Sequence, residues 1–266
     1  MIKKVQTPYT GKLRISLVQV DLVWQEPATN LDRIGRLLAP LAGRTDLILL
    51  PETFTTGFTM ETDRLAEETD GAASHWMANQ AWKLNAVIAG SIIVREGKHY
   101  YNRLLWVTPD HETGYYDKRH LFRMGGEDIH FSPGAERKVF TCQGWRVCPM
   151  ICYDLRFPVW SRNRNDYDVL VYLANWPAPR RQVWKTLLAA RAIENQCYVA
   201  AVNRIGKDGN SIAYTGDSLV ADPKGGIIAC LDDEEVVETV SLSYQDLIAF
   251  REKFPVHLDG DDFTIL

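Results

Sequence analysis

Three reactive side chains stand at positions typical of catalytic groups in α/β proteins. Glu52 and Cys152 each come directly after a run of apolar residues, and Lys118 lies in the aromatic and basic segment 115–122. Ligands in α/β folds collect beyond the carboxyl ends of strands, so polar residues that follow apolar runs are candidates for chemistry. The sequence therefore offers one carboxylate, one thiol and one amine to a single site.

These three groups together suit the hydrolysis of an amide through a thioester. A thiol with an ordinary pKa of about 8.5 is only slightly ionised at neutral pH, so we expect a nearby cation such as Lys118 to raise the thiolate fraction. The same ammonium can stabilise the oxyanion formed when Cys152 attacks the amide carbon, with the backbone N–H of Tyr153 as a second donor. Glu52 can take the thiol proton, pass it to the departing ammonia and then activate water.

Each of these residue types also has an ordinary structural use. Buried cysteines commonly act as small hydrophobic residues, and a glutamate after proline commonly caps a turn or faces water. Four further cysteines lie inside or beside apolar segments, and we interpret them as packing residues: Cys142, Cys148, Cys197 and Cys230. The total of five, without a Cys-x-x-Cys pair or zinc-ligand spacing, predicts free thiols and no metal.

Hydrophobic periodicity predicts an α/β fold with mixed sheets. Apolar strands are predicted at 13–20, 46–50, 86–94, 101–108, 145–151, 169–174 and 198–203. Helices are predicted from an Asn30 cap, at 74–84, at 158–162, at 181–196 and at 244–253. The segments 217–221, 226–231 and 236–241 are predicted to be antiparallel strands, and helices are expected to cover the sheet faces.

Length and composition favour a single domain that spans residues 1–266. The chain is 46% hydrophobic and carries a net charge of −4, with its 30 basic residues scattered rather than gathered in a stripe. We therefore expect no nucleic-acid partner. Residues 1–12 lack the apolar run of a secretory signal, and no stretch has the ~18 apolar residues of a membrane span, so we expect a cytoplasmic protein without membrane contact.

Three segments resemble the nitrilase superfamily of carbon–nitrogen hydrolases: 50–58 (LPETFTTGF), 116–122 (YDKRHLF) and 151–158 (ICYDLRFP). Their order along the chain also matches, and the resemblance extends from about residue 13 to residue 255. The segments 175–180 (NWPAPR) and 251–255 (REKFP) are most similar to the bacterial omega-amidase branch.

The resemblance implies a fold, an activity and a set of roles. It implies a four-layer α-β-β-α sandwich, no metal or organic cofactor, and a homodimer or higher homo-oligomer in which outer helices pack between subunits. The substrates implied are short dicarboxylate monoamides, notably 2-oxoglutaramate and 2-oxosuccinamate. Carried over by position, Glu52 is the general base and acid, Lys118 the oxyanion stabiliser and Cys152 the nucleophile. Glu127 matches a second glutamate that orients Lys118.

Several other residues are candidates for lining the pocket. Arg156 could hold the far carboxylate of a substrate in a bidentate pair, although an internal ion pair explains it equally well. Arg123, Phe58, Trp176 and Tyr214 are further candidates, while large aromatic residues at such positions are more often part of a core.

Three alternative functions stay open at this point. The nearest is another amide hydrolase of the same superfamily, acting on N-carbamoyl or simple aliphatic amides. A second is a binding module of the same fold without turnover, although all three reactive residues are present. The third is a papain-like protease that pairs Cys152 with His120. However, His120 lies in the same segment as Lys118 and is followed by apolar residues, which favours a structural role.

Overall fold

The computed structural model describes residues 11–265, whose strands form two six-stranded sheets and a two-stranded ribbon. The strands are β1 (Lys12–Gln19), β2 (Leu47–Leu49), β3 (Val87–Glu96), β4 (His99–Val107), β5 (Thr113–Asp117), β6 (Phe140–Cys142), β7 (Trp145–Ile151), β8 (Val169–Ala174), β9 (Tyr198–Asn203), β10 (Ile205–Lys207), β11 (Ala213–Thr215), β12 (Leu219–Ala221), β13 (Ile227–Cys230) and β14 (Val236–Ser243). The α-helices are α1 (Pro27–Leu38), α2 (Thr62–Leu65), α3 (Ala72–Leu84), α4 (Glu127–His130), α5 (Pro158–Ser161), α6 (Arg181–Asn195) and α7 (Tyr244–Lys253). No helix in this range is both long and apolar enough to span a bilayer.

The two large sheets have the same succession of strand pairings. The first sheet has the order β14-β1-β2-β3-β4-β5, in which β1, β2 and β3 are parallel and the outer pairs are antiparallel. The second has the order β6-β7-β8-β9-β12-β13, with β7, β8 and β9 parallel. Both are therefore mixed sheets with a parallel centre, as the sequence predicts.

The sheets pack face to face, with helices on their outer sides. Leu13, Ile15 and Leu17 of β1 belong to one buried cluster with residues of the second sheet. Helices α1 and α3 cover the other face of the first sheet, where Ile34 and Met77 belong to a second apolar cluster. Helix α6 packs against β9 and β12 of the second sheet. This is the four-layer α-β-β-α sandwich that the resemblance implies, and that prediction is confirmed.

Some local predictions differ from the structure. Helix α1 begins at Pro27, so Asn30 lies inside it, where its buried amide bonds both backbone groups of Val23 (2.8 Å each) and the Thr55 carbonyl (2.7 Å). Strand β14 leaves β12 and β13 and pairs with β1 in the other sheet. A polar residue just before an apolar helical face can be a helix cap or a buried residue that bonds the backbone of other segments, and the sequence does not distinguish the two. The periodicity of a strand likewise does not show which sheet the strand joins.

Candidate active site

Three different strands deliver the predicted reactive residues to one end of the sandwich. Glu52 follows β2 and Lys118 follows β5, both in the first sheet, whereas Cys152 follows β7 in the second. All three line one cavity of about 570 Å³. The strand β5, which ends at Asp117, is not among the strands predicted from the sequence, although it sets the position of Lys118.

A sharp turn presents Cys152 at the end of β7. Its φ of 42° lies in the left-handed region that side chains other than glycine rarely adopt, and a 3-10 turn (Cys152–Arg156) begins there. The buried carboxylate of Asp154 stabilises the turn because its Oδ2 accepts hydrogen bonds from the Ile151 N–H (3.0 Å) and the Tyr116 hydroxyl (2.7 Å). Asp154 thereby ties the Cys152 turn to strand β5.

The ammonium of Lys118 lies between two buried carboxylates. Its Nζ is 2.8 Å from Glu52 Oε1 and 2.9 Å from each carboxylate oxygen of Glu127. All three side chains are almost completely buried. Burial by itself lowers the pKa of Lys118, but the charges of Glu127 and Glu52 outweigh that effect and raise the pKa above its ordinary value. Lys118 is therefore charged at neutral pH.

Two asparagines that the sequence analysis did not single out complete this network. Asn102 Nδ2 donates to Glu52 Oε1 (2.9 Å) and to Glu127 Oε1 (3.2 Å). The backbone N–H of Asn175 donates to Glu52 Oε2 (2.9 Å), and its side-chain amide donates to the Glu52 carbonyl (2.6 Å). Asn102 lies in the segment 101–103 (YNR) and Asn175 in the segment 175–180 (NWPAPR). Both segments resemble the superfamily, which is the signal that could have identified the two asparagines.

The resting site holds Cys152 as a thiol. Packing around the sulfur raises the pKa of Cys152 well above its ordinary value, the charge of Glu52 raises it further, and Lys118 opposes both. Burial also raises the pKa of Glu127, again against the influence of Lys118. Lys118 thus acts in the expected direction, towards the thiolate, but burial of the sulfur and the charge of Glu52 outweigh it in the resting site.

All of the predicted lining residues except Arg123 line the cavity. Phe58, Tyr153, Arg156, Trp176 and Tyr214 all line the cavity. The guanidinium of Arg156 lies 5.2 Å from the centroid of the Trp176 ring and forms no ion pair with any acidic side chain in residues 11–265. The internal ion pair considered for Arg156 is thus absent from the described part of the chain.

Arg123 was predicted to line the cavity, and this prediction is wrong. Its side chain is 84% exposed and pairs with Asp128 (Nη1 to Oδ2, 2.6 Å). It borders a neighbouring cavity instead, together with His120. The chain turns at Arg123–Gly125 in a short 3-10 segment, which directs Met124 and Gly125 to the main cavity and Arg123 away from it.

His120 contacts the Asp154 carboxylate rather than the thiol. Its Nδ1 lies 2.8 Å from Asp154 Oδ1, and its backbone N–H donates to the same oxygen (3.0 Å). Its ring stacks on Phe157 with 3.7 Å between centroids. This is the structural placement favoured by the sequence, and the geometry gives no support to a Cys152–His120 protease pair.

The remaining cysteines lie outside the cavity. Cys142, Cys148 and Cys197 are buried, and burial raises the pKa of both Cys142 and Cys148 to about 12. Cys230 is exposed, which corrects its interpretation as a packing residue: strand β13 is the edge of its sheet. Within residues 11–265, no group of three or more His, Cys, Asp or Glu side chains is arranged to hold a metal ion.

Comparison with known proteins decides the family. Residues 14–252 match the family model for carbon–nitrogen hydrolases. The chain belongs to the carbon–nitrogen hydrolase family. As a carbon–nitrogen hydrolase it is an enzyme, and the resemblance read from the sequence is confirmed.

Its relatives include proteins named as amidases and a protein of solved structure. The carbon–nitrogen hydrolase described here is 48% identical to omega-amidase YafV of Escherichia coli (strain K12), over 95% of this chain and 98% of that one. It is 35% identical to 2-oxoglutaramate amidase of Bacillus subtilis (strain 168), over 93% and 97%. XC1258 of Xanthomonas campestris, a CN-hydrolase superfamily protein solved with an arsenic adduct in its active site, superimposes with a TM-score of 0.94 at 49% identity, covering 96% and 99%.

Proposed function

We propose that this carbon–nitrogen hydrolase is an omega-amidase. It hydrolyses the terminal amide of short dicarboxylate monoamides, such as 2-oxoglutaramate and 2-oxosuccinamate, to the diacid and ammonia. The observation that carries the proposal is the convergence of Cys152, Lys118 and Glu52 in one cavity, which is also lined by two arginines that form no ion pair within residues 11–265. The relatives named omega-amidase and 2-oxoglutaramate amidase support this substrate class.

The proposed reaction proceeds in two halves through a cysteinyl thioester. As the sulfur of Cys152 attacks the amide carbon, its proton passes to Glu52, because the resting group is a thiol. Glu52 then protonates the leaving nitrogen, the C–N bond breaks and ammonia departs. In the second half Glu52 takes a proton from water and hydroxide adds to the thioester. The C–S bond then breaks to release the acid, and Glu52 returns its proton to the sulfur, which restores the thiol.

The other polar groups have supporting roles in this proposal. Lys118 and the backbone N–H of Tyr153 donate to the oxyanion of each tetrahedral intermediate. Glu127 touches Lys118 through both carboxylate oxygens, so it orients the ammonium and keeps it charged. The reaction as proposed uses no cofactor.

The rival amide hydrolases are separated by substrate preference. We expect the wild-type enzyme to release ammonia from 2-oxoglutaramate with a kcat/KM at least ~10²-fold higher than from N-carbamoyl amino acids, simple aliphatic amides or nitriles. Simple aliphatic amides and nitriles lack the far carboxylate and its charge-assisted contact. N-carbamoyl amino acids keep a carboxylate, but their ureido carbon is less electrophilic because a second nitrogen donates into the carbonyl. A coupled ammonia assay measures all four classes. The reverse ranking would overturn the omega-amidase assignment, and no release from any of them would favour a module without turnover.

We also propose a cytoplasmic homo-oligomer, a dimer or larger. Free cysteines suit a reducing compartment, and all five are free in the structure. Val159, Ile193 and Phe254 are each more than half exposed, which leaves apolar surface on outer elements of the second sheet for a subunit contact.

A further inference from the structure

The cavity lining contains two arginines that form no ion pair within the described residues. Its charged lining consists of Glu52, Glu61, Lys118, Arg156, Arg180 and Asp208. Lys118 and Glu52 pair with each other, and Asp208 accepts hydrogen bonds from two backbone N–H groups and from a tyrosine hydroxyl. No acidic side chain in residues 11–265 lies within ion-pair distance of Arg156 or Arg180. The arginines are thus available to an anionic ligand.

Arg180 is held in place relative to the reacting groups. It ends the segment that starts at Asn175, whose backbone N–H binds Glu52 and whose carbonyl lies 3.9 Å from the sulfur of Cys152. Within that segment the Arg180 carbonyl accepts a hydrogen bond from Trp176 Nε1 (2.9 Å). The Arg180 N–H donates to the carbonyl of Pro177 (3.0 Å). One short stretch of chain therefore contacts the reacting groups at one end and carries a cation at the other.

The guanidinium of Arg180 is also positioned by an aromatic ring. It lies 5.3 Å from the centroid of Phe122, a cavity residue whose backbone N–H donates to Glu127 (2.6 Å). A guanidinium over an aromatic face keeps its N–H groups free to bind a carboxylate in two parallel hydrogen bonds. Arg156 differs because its side chain is more exposed to solvent.

We propose that Arg180 is the residue that selects the carboxylate end of the substrate, with Arg156 making a weaker contribution. This inference rests on the proposed function, since it concerns the far end of the same amide substrate. Arg180 binds the carboxylate through a bidentate pair while Cys152 attacks the amide carbon. Neutral amides of the same length lose this contact, so Arg180 is a specificity residue and takes no part in bond breaking.

The test compares two substrates of equal length, glutaramate and pentanamide, which differ in a carboxylate and a methyl group. In Arg180→Gln we expect the ratio of kcat/KM for glutaramate to that for pentanamide to fall about 10- to 100-fold, the range of a lost charge-assisted hydrogen bond, with most of the loss in KM. Arg156→Gln should lower the ratio less. Arg123→Gln, outside the cavity, serves as the matched control and should keep the wild-type ratio.

Two results would overturn the inference while leaving the proposed function standing. One is a wild-type ratio in Arg180→Gln, and the other is a larger fall in Arg156→Gln than in Arg180→Gln. Failure of the proposed function is a separate result, namely a wild-type enzyme that releases no ammonia from 2-oxoglutaramate or glutaramate.

Discussion

At the scale of single residues, the site is a balance of buried charges. Two carboxylates, Glu52 and Glu127, share one ammonium, so a further negative charge on Cys152 would have no partner of its own. Burial of the sulfur is the main reason that the pKa of the Cys152 thiol is raised, and the charge of Glu52 adds to it, so that together they outweigh the nearby lysine. In the proposed reaction the negative charge arises on the substrate oxygen, next to Lys118, rather than on the resting sulfur.

Glu127 provides a test of this balance. In Glu127→Gln we expect kcat to fall about 10²-fold, because Lys118 loses a bidentate partner and points less accurately at the oxyanion. The same change removes a charge that raises the pKa of Lys118, so the alkaline limb of the kcat profile should move to lower pH. Rates and pH profiles measured by ammonia release provide the check.

The exposed pair of Glu136 with Lys138 offers a matched control for the glutamate substitution. Glu136→Gln should keep the wild-type kcat and pH profile. An unchanged kcat and an unchanged alkaline limb in Glu127→Gln would show that Glu127 does not position Lys118.

At the scale of helices and strands, the sequence predicts the features that depend on a local residue pattern. The strand at Val169–Ala174 and the helix at Tyr244–Lys253 have the predicted bounds, because each is a continuous periodic run between polar residues. Glu52, Lys118 and Cys152 are predictable because each is a reactive residue type in a local segment that resembles the superfamily, and Glu52 and Cys152 also follow apolar runs. Their contacts to Asn102 and Asn175 are not, since those bonds join residues 50 and 123 positions apart. Local patterns carry no information on such pairs.

Asp217 links two elements and gives a pH-dependent prediction for stability. It binds Arg181 (2.8 Å) and Lys185 (2.6 Å) of helix α6 from the residues preceding β12. Burial alone raises the pKa of Asp217, but these cations and Thr215 outweigh it and lower the pKa. A carboxylate with a lowered pKa stabilises the fold above its ordinary pKa of 3.8, and that contribution is lost as the pH falls through the lowered value.

We therefore expect Asp217→Asn to lower the Tm at pH 7 by about 2–4 °C, which corresponds to roughly 1 kcal/mol. The difference from wild type should shrink as the pH falls below about 3.8. Thermal unfolding followed by circular dichroism at several pH values measures both. Asp110→Asn, in an exposed turn, is the control, and a difference that stays constant down to acidic pH would contradict the assignment.

At the scale of the whole molecule, the site exists only where the two sheets meet. Glu52 and Lys118 belong to the first sheet, and Cys152 and Asn175 to the second, so neither sheet holds the reactive set alone. The continuous apolar cluster between the sheets fixes their relative position. A single domain over residues 1–266 stays a prediction, and its first ten residues lie outside the described part of the chain.

The most direct measurement of the central claim is mass spectrometry of the enzyme quenched in acid during turnover of 2-oxoglutaramate. The proposed mechanism predicts a 2-oxoglutaryl group on the peptide that contains Cys152, none on the exposed Cys230, and no adduct or ammonia release in Cys152→Ala. An acyl group on another residue, or ammonia release that survives in Cys152→Ala, would contradict it.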